Sequence, residues 1–196
     1  MKLKNFSAAI LCALAVSASA QTAGPAPARA SDIRLTKITT NLISSPEFTY
    51  TGAEQFQANQ RERWLEVEVE FTAVPDFTEE ATFKYYILVG GKLLTGEVTH
   101  VSIAVGKGLR SVMYVPPRVL AHIMGARPVG LNSVENVAVQ VLVGGAVKDD
   151  LSAQRAQAQW FTTLQGIPNM VLNKNETPFA PLYWDRYAQI KPNPAH

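Results

Sequence analysis

In the stretch from Trp64 to Phe71, W-L-E-V-E-V-E-F, apolar and acidic residues alternate without interruption from Leu65 onward. In a β-strand, successive side chains point to opposite faces, whereas a helix would scatter the same glutamates around its surface. The pattern therefore predicts a strand with a buried apolar face and a solvated acidic face. The apolar face carries Leu65, Val67, Val69 and Phe71, and the solvated face carries Glu66, Glu68 and Glu70.

Further stretches repeat this period of two, and glycine or proline separates them. They are, in chain order, 33–43 with a phase change that indicates a bulge or a switch of sheet, 82–89, 92–104, 109–115, 134–143 and a return strand that begins at 146. Gly90-Gly91 and Gly144-Gly145 stand between such runs. Both predict hairpin turns, because glycine adopts positive φ at little cost.

One short helix interrupts this series of predicted strands. Residues 118–125 follow two prolines and end on glycine, which is typical of a helix start and stop. Its buried side is expected to hold Val119, Leu120 and Ile123. Residues 152–160 fit either a bent strand or a short helix, because alanine and glutamine permit a helix while their alternation permits a strand.

The whole pattern amounts to about seven short strands and one short helix, with no alternation of strand and helix. We therefore predict an all-β fold, an antiparallel immunoglobulin-like β-sandwich with one short helix and a C-terminal aromatic extension. The cysteine pair of antibody domains is missing. The prediction consequently depends on the strand count and the alternation.

The N-terminus has the features of a cleaved export signal. Lys2 and Lys4 precede a short apolar run, and Ala18-Ser19-Ala20 supplies the small residues that signal peptidase reads. About eleven apolar residues are too few to span roughly 30 Å of hydrocarbon. We expect cleavage after Ala20, which also removes Cys12, the only cysteine. The protein is therefore expected in the periplasm, in the outer membrane or on the cell surface.

Removal of the signal leaves a chain with no net charge. Lys+Arg falls from 18 to 16 and equals the 16 Asp+Glu. Nucleic-acid binding is not expected, because it needs a basic face. We expect a cleaved signal at 1–20, an Ala/Pro-rich linker at 21–31, one immunoglobulin-like domain at 32–192 and a short tail at 193–196.

No catalytic motif stands out in the sequence. The three histidines, His100, His122 and His196, belong to no zinc-binding pattern, and His100 is expected at a surface or sheet edge. Asp149-Asp150 follows a hairpin turn, and we interpret the pair as turn residues. We predict no enzyme activity, no cofactor and no metal site.

The C-terminal stretch from Thr177 to Pro192, here called the aromatic segment, carries unusually many rings for a chain end. It either packs on its own domain or contacts a partner, and Asp185-Arg186 is expected to be a surface ion pair. Trp64, beside the glutamate face, is a further candidate for exposure. The candidate partner-binding residues are Phe179, Tyr183, Trp184, Asp185, Arg186 and Tyr187.

Three of these stretches, together with the export signal, resemble a known family. They are R-W-L-E-V-E-V-E-F (63–71), Y-Y-I-L-V-G-G-K (85–92) and T-P-F-A-P-L-Y-W-D-R-Y (177–187). The chain resembles the immunoglobulin-like, pilus-associated secreted proteins encoded in type IV pilus gene clusters of mucin-degrading Verrucomicrobia of the Akkermansia kind. The resemblance covers nearly the whole chain after the signal.

The resemblance implies an outer-membrane or surface location and a part in pilus assembly or attachment. It brings no functional residues with it. Because no pilin-type apolar helix follows Ala20, it implies an accessory role rather than a filament subunit. The expected partners are envelope or pilus proteins, bound through sheet edges or the aromatic segment. The alternative is a carbohydrate-binding module that stacks its rings on mucin glycans.

Overall fold

The computed structural model describes residues 32–49, 51–52, 62–125, 127–154 and 159–192. The predicted signal, linker and last four residues lie outside this part. The described strands are β1 (Asp32–Ser44), β2 (Arg63–Val74), β3 (Thr78–Val89), β4 (Lys92–Ile103), β5 (Gly106–Val115), β6 (Val134–Val143), β7 (Ala146–Ser152), β8 (Gly166–Ile167) and β9 (Leu172–Asn173). The helix α1 spans Pro117–Met124, and 3-10 helices span Leu131–Ser133, Trp160–Thr163 and Lys174–Glu176.

These strands form two sheets that pack face to face. Sheet A has the order β1-β2-β5-β9, and sheet B has the order β7-β6-β3-β4-β8. All pairs are antiparallel except the short pair of β4 with β8, which is parallel. The predicted all-β sandwich with one short α-helix is therefore confirmed.

The turns and the bulge follow the local sequence. In β1, Leu35 pairs with Phe71 and Lys37 with Glu70, so Thr36 is the extra residue of a β-bulge. This confirms the phase change expected in the first strand. The two glycines of each hairpin have positive φ, at 56° and 76° for Gly90-Gly91 and 58° and 79° for Gly144-Gly145, as primed two-residue turns require.

The core lies between the two sheets and holds the apolar faces that the alternation predicted. Val67, Val69 and Phe71 of β2 are fully buried, and the rings of Phe71 and Phe83 meet with centroids 4.8 Å apart. At about 25 cal/mol for each Å² of buried apolar surface, such side chains dominate the stability of the sandwich.

The helix α1 closes one end of this core. Val119 and Leu120 are buried as expected, but Met124 completes the buried side and Ile123 is only half-buried. None of the helices in the described residues is long and apolar enough to cross a membrane.

The prediction for Asp149-Asp150 was wrong, because both residues belong to strand β7. Asp149 accepts a hydrogen bond from the backbone N–H of Leu35, at 2.8 Å, beside the bulge of β1. The carboxylate thus links sheet B to sheet A on the side of the sandwich bordered by β1 and β7, called here the β1–β7 side.

The ambiguous stretch 152–160 is only partly described. Ser152 ends β7, and Trp160 begins a 3-10 helix in which Phe161 stacks on Tyr86 with ring centroids 3.9 Å apart. Residues 155–158 lie outside the described part of the chain.

Candidate functional site

The C-terminal part of the chain crosses twice between the two sheets on the side bordered by β4 and β5, called here the β4–β5 side. The first crossing runs from β8, beside Leu93 and Leu94, to β9, beside Met113 and Tyr114. It passes directly over Gly96, where any Cβ would lie 2.7 Å from the Cβ of Val171. This close approach requires glycine at position 96.

The second crossing belongs to the aromatic segment. The N–H of Ala188 donates to the carbonyl of Arg110 on β5, at 2.9 Å. One residue later the segment pairs with β4, where Val101 donates to the Gln189 carbonyl at 2.9 Å and Lys191 donates to the Thr99 carbonyl at 2.8 Å. The aromatic segment therefore covers parts of both sheet edges on the β4–β5 side.

Phe179 fixes the start of the segment. Its ring is 3% exposed and stacks on Tyr114, with centroids 4.7 Å apart and planes 14° apart. Trp64 meets the same ring edge-on at 5.6 Å and donates its indole N–H to Ser45 at 2.8 Å. A buried aromatic side chain removes about 150–250 Å² from water. Trp64 is 9% exposed, so the expectation that it is exposed was wrong.

Glu68 fixes the middle of the segment. Its Oε2 accepts hydrogen bonds from Arg186, at 3.1 Å to Nε and 2.8 Å to an Nη atom, and from the hydroxyl of Tyr187 at 3.0 Å. Its Oε1 accepts from Arg110 at 3.3 Å. The hydrogen bond to Glu68 raises the pKa of Arg186, and burial raises the pKa of Tyr187. The carboxylate thus ties β2 and β5 to the aromatic segment.

These contacts correct two expectations. Glu68 is 8% exposed, so the acidic face of β2 is not uniformly solvated. Arg186 pairs with Glu68 instead of forming the expected surface pair with Asp185. The reason is the same for both: the aromatic segment covers this part of β2 and brings a guanidinium onto its central carboxylate.

A buried hydrogen-bonded chain lies beneath the second crossing. The carbonyl of Ala188 can only accept, so His100 donates from Nδ1 to it, at 2.9 Å. The Nε2 atom of His100 is then the acceptor for the hydroxyl of Ser111, at 2.7 Å. Ser111 in turn accepts from Tyr85, also at 2.7 Å. A single tautomer of His100 therefore satisfies all the hydrogen bonds of this buried series.

His100 was expected at a surface or a sheet edge; it does lie at the outer edge of β4, where it pairs with Ile190, but it is only 1% exposed. The aromatic segment covers the edge of β4 that carries it. Burial lowers the pKa of His100 to about 4. The pair of Ser111 and His100 has the donor and acceptor arrangement of a nucleophile and its base, yet Ser111 is fully buried, so no substrate reaches it.

The aromatic segment turns outward between these anchors. Tyr183 has a φ of 53°, a left-handed conformation that is strained for a bulky side chain. The N–H of Arg186 donates to the carbonyl of Tyr183 at 3.2 Å and closes the turn. This turn, Tyr183 to Arg186, is called the aromatic turn. Tyr183 is 57% exposed and Trp184 is 84% exposed.

Arg186 supports the aromatic turn from below. Its guanidinium carbon lies 5.9 Å from the ring centre of Tyr183 and 5.7 Å from that of Tyr187. The same guanidinium is held by Glu68, so the turn is attached to the sheet and not suspended in solvent. Backbone strain that is held in place by surrounding contacts is characteristic of binding sites.

A groove of about 360 Å³ opens beside Trp184. Lys174 lies at this groove, is 4% exposed and donates to the carbonyl of Ala180 at 2.6 Å. Burial lowers the pKa of Lys174. The remaining lining is aromatic, amide and aliphatic, from Asn175, Trp184, Tyr187, Ala188, Gln189, Ile190 and Pro192. This lining suits binding contacts better than acid–base chemistry.

A larger cleft of about 640 Å³ lies near Lys84 and Glu97 of sheet B and is bounded by the first crossing. Its charged side chains have mixed signs and do not converge on a nucleophile. In the part of the chain that the structure describes, no group of three or more His, Cys, Asp or Glu side chains could hold a metal ion. The aromatic turn therefore remains the candidate site.

The structure divides the six candidate residues into two groups. Phe179 is buried, and Tyr187 and the partly exposed Arg186 hold the segment to Glu68, whereas Tyr183, Trp184 and Asp185 are exposed. Sequence reasoning missed Glu68 and His100 as anchors. The only sequence signal for these anchors was the excess of hydrogen-bond acceptors on β2 and of hydrogen-bond donors in the aromatic segment.

Comparisons with known proteins identify the family. One protein-family model matches residues 24–194. No curated protein matches the chain. A crystal structure of a protein from Akkermansia muciniphila matches with a TM-score of 0.70 and 24% identity, over 83% of this chain and 95% of that chain. The chain therefore belongs to the family that this model describes, and it shares its fold with the Akkermansia muciniphila protein.

Proposed function

We propose that this protein is a non-enzymatic component of the bacterial envelope or cell surface that binds other proteins through its aromatic turn. The observation that carries the proposal is the 84% exposure of Trp184 on a strained, well-anchored turn. Tryptophan is enriched among residues that dominate protein–protein binding. A side chain of this size, held out in solvent without a packing role, suits such a contact.

The proposed context is a pilus-related accessory or attachment role. Its support is the membership of the matched family, together with the resemblance of the export signal, two strands and the aromatic segment to pilus-associated proteins. Both the family membership and the resemblance fit an exported protein of the periplasm, the outer membrane or the cell surface. Protein partners also fit the aromatic turn, because tyrosine, tryptophan and arginine are residue types that are enriched at protein–protein interfaces.

We also infer that the sandwich is immunoglobulin-like. The order β1-β2-β5 in sheet A and β7-β6-β3-β4 in sheet B corresponds to strands A-B-E and G-F-C-C′ of immunoglobulin-type sandwiches. In this scheme the C-terminal crossings are additions that follow strand G. They cover the edges of strands C′ and E.

The proposal is tested by removing the exposed rings. The double variant Tyr183→Ala/Trp184→Ala and the control Phe77→Ala are used as bait in an envelope extract of the producing organism. Phe77 is 55% exposed on a different turn, so its loss removes a comparable apolar surface. We expect the double variant to lose partners that the parent and the control retain. Equal retention by all three proteins would contradict the proposal.

A second candidate function is carbohydrate binding. The groove beside Trp184 combines a ring with the amides of Asn175 and Gln189, and such a lining can stack on a sugar and hydrogen-bond its hydroxyls. Binding of soluble mucin glycans by the parent, and its loss in Trp184→Ala, would favour this function over a protein partner. Protein capture without glycan binding would exclude it.

A further inference from the structure

The four outer sheet edges of the sandwich differ in how they are protected. The edges of β4 and β5 are covered in part by the two C-terminal crossings. The edge strand β7 carries three charged residues in succession, 148–150. The second half of β1, Ile38 to Ser44, carries no charge, and no described segment pairs with its outer edge.

Among the residues that the structure describes, the features that keep β1 from pairing with another strand lie in its first half. The bulge at Thr36, the charge of Lys37 and the hydrogen bond from Leu35 to Asp149 all lie before the uncharged run. Bulges and lysines are devices by which proteins keep sheet edges from pairing with other chains. The run from Ile38 to Ser44, I-T-T-N-L-I-S, has none of them and is rich in β-branched residues that favour strands.

We propose that the run Ile38–Ser44 is a self-association edge that pairs, antiparallel, with the same run of a second copy of this chain. The two-fold axis passes through Asn41, the middle residue of the run. The two copies of sheet A then form one continuous sheet. Unpaired N–H and C=O groups of both edge strands satisfy each other in this arrangement.

The sequence of the run is complementary to itself in this register. Thr39 faces Ile43 of the partner subunit, and Ile38 faces Ser44 of the partner subunit. Lys37 faces Ser45 of the partner subunit and not a second lysine, so no like charges oppose each other across the new pair. A symmetric dimer of this kind uses one patch on both copies.

The proposed dimer does not involve the aromatic turn. The turn belongs to the segment that covers the β4–β5 side, whereas the uncharged run lies at the edge of β1, the other edge strand of sheet A. Each dimer therefore presents two aromatic turns at once. The inference goes beyond the proposed function and does not require it.

Sedimentation equilibrium of the purified protein over a range of concentrations is the first test. We expect reversible dimers, and we expect Asn41→Lys to weaken dimerisation by about fivefold, because it places two lysines opposite each other. The control Val105→Lys adds the same charge at an exposed position between β4 and β5, away from the β1–β7 side, and should leave dimerisation unchanged. A protein that stays monomeric at all concentrations, or an unchanged dimer of Asn41→Lys, would overturn the proposal.

Disulfide trapping provides a second test that does not depend on the lysine variant. In a chain with Cys12→Ser, the variant Asn41→Cys should form intermolecular disulfides under mild oxidation, because directly opposite Cβ atoms are about 4.5–5.5 Å apart. Val105→Cys, at an exposed position away from the β1–β7 side, should form far fewer. Equal trapping of both variants indicates random collision and contradicts the proposed register. Unchanged melting temperatures of the reduced variants confirm that each one is folded.

Discussion

Three side chains from two distant parts of the chain converge on the carboxylate of Glu68. Arg110 lies 42 residues away in the sequence, Arg186 lies 118 residues away and Tyr187 lies 119 residues away. Removal of the Glu68 charge is costly, because charge-assisted hydrogen bonds to two guanidinium groups and one hydroxyl are weakened at once. Glu68 is therefore the side chain on which the attachment of the aromatic segment depends most.

Replacement of Glu68 tests this attachment. We expect Glu68→Gln to lower the free energy of unfolding by about 2 kcal/mol, the scale of hydrogen bonds to a charged group, because both arginine partners remain in contact with solvent. Glu70→Gln is the matched control, since its carboxylate is more exposed and contacts Arg110 only at 3.7 Å. Urea unfolding of both variants measures the difference. An equal and small loss in both would show that Glu68 is not an anchor.

Two tryptophans of this chain are expected to differ in their contribution to stability. Trp64→Ala removes a ring packed on Phe179 and should cost about 3–5 kcal/mol. Trp184→Ala removes a ring that is 84% exposed and should change stability by less than about 0.5 kcal/mol. Denaturant unfolding of the two variants measures both changes in the free energy of unfolding. A large loss for Trp184→Ala would assign that ring a packing role and weaken its proposed role in binding.

The elements of the sandwich differ in how well the sequence predicts them. The alternation of β2, the bulge of β1 and the glycine turns are local patterns, and each predicted the observed structure. The burial of His100 was not predictable in this way. It depends on a segment almost 90 residues further along the chain, and no local pattern shows which strand edge that segment will cover.

The close approach of the first crossing to Gly96 predicts that a larger residue at this position destabilises the protein. In Gly96→Ala the new Cβ would lie 2.7 Å from Val171 and 2.9 Å from Met113, so the crossing chain must move. We expect a loss of about 1–3 kcal/mol, as in other overpacked cores. The control Gly106→Ala meets only Leu109, at 3.7 Å, an ordinary contact. Thermal unfolding compares them, and equal melting temperatures would contradict the close crossing.

The second crossing makes stability depend on pH. The pKa of His100 is about 4 in the folded protein and about 6.5 in an unfolded chain, so acid favours the unfolded state. The contribution of neutral His100 is fully present above pH 6.5 and is lost as the pH falls towards 4, by about 3 kcal/mol in total.

This pH dependence can be separated from that of the carboxylates. We expect His100→Gln to be less stable at neutral pH but to lose less stability than the parent between pH 6.5 and 4. His122→Gln, at an exposed position of α1, is the control and should follow the parent. The free energy of unfolding of all three proteins at several pH values measures how much stability each one loses on acidification. Parallel curves for the parent and His100→Gln would contradict the buried neutral histidine.

On the scale of the whole molecule, the aromatic segment serves two purposes. The sequence left open whether the rings of this segment pack on the domain or contact a partner. In the structure some of the rings pack on the domain and others are exposed to solvent. Phe179 and Tyr187 hold the segment against sheet A, while Trp184 points into solvent. A sequence cannot make this division, because the exposure of each ring depends on the strained turn at Tyr183 and on the anchors beneath it.

The central claim is that the aromatic segment is an integral part of the sandwich that presents Trp184. Thermal unfolding of a chain truncated after Asn175, beside the complete protein, tests it most directly. We predict that the melting temperature falls by more than about 10 °C, because the buried ring of Phe179, the ion pair with Glu68 and the backbone bonds to β4 and β5 are all lost. An unchanged melting temperature would contradict the claim and show that the sandwich is complete without the segment.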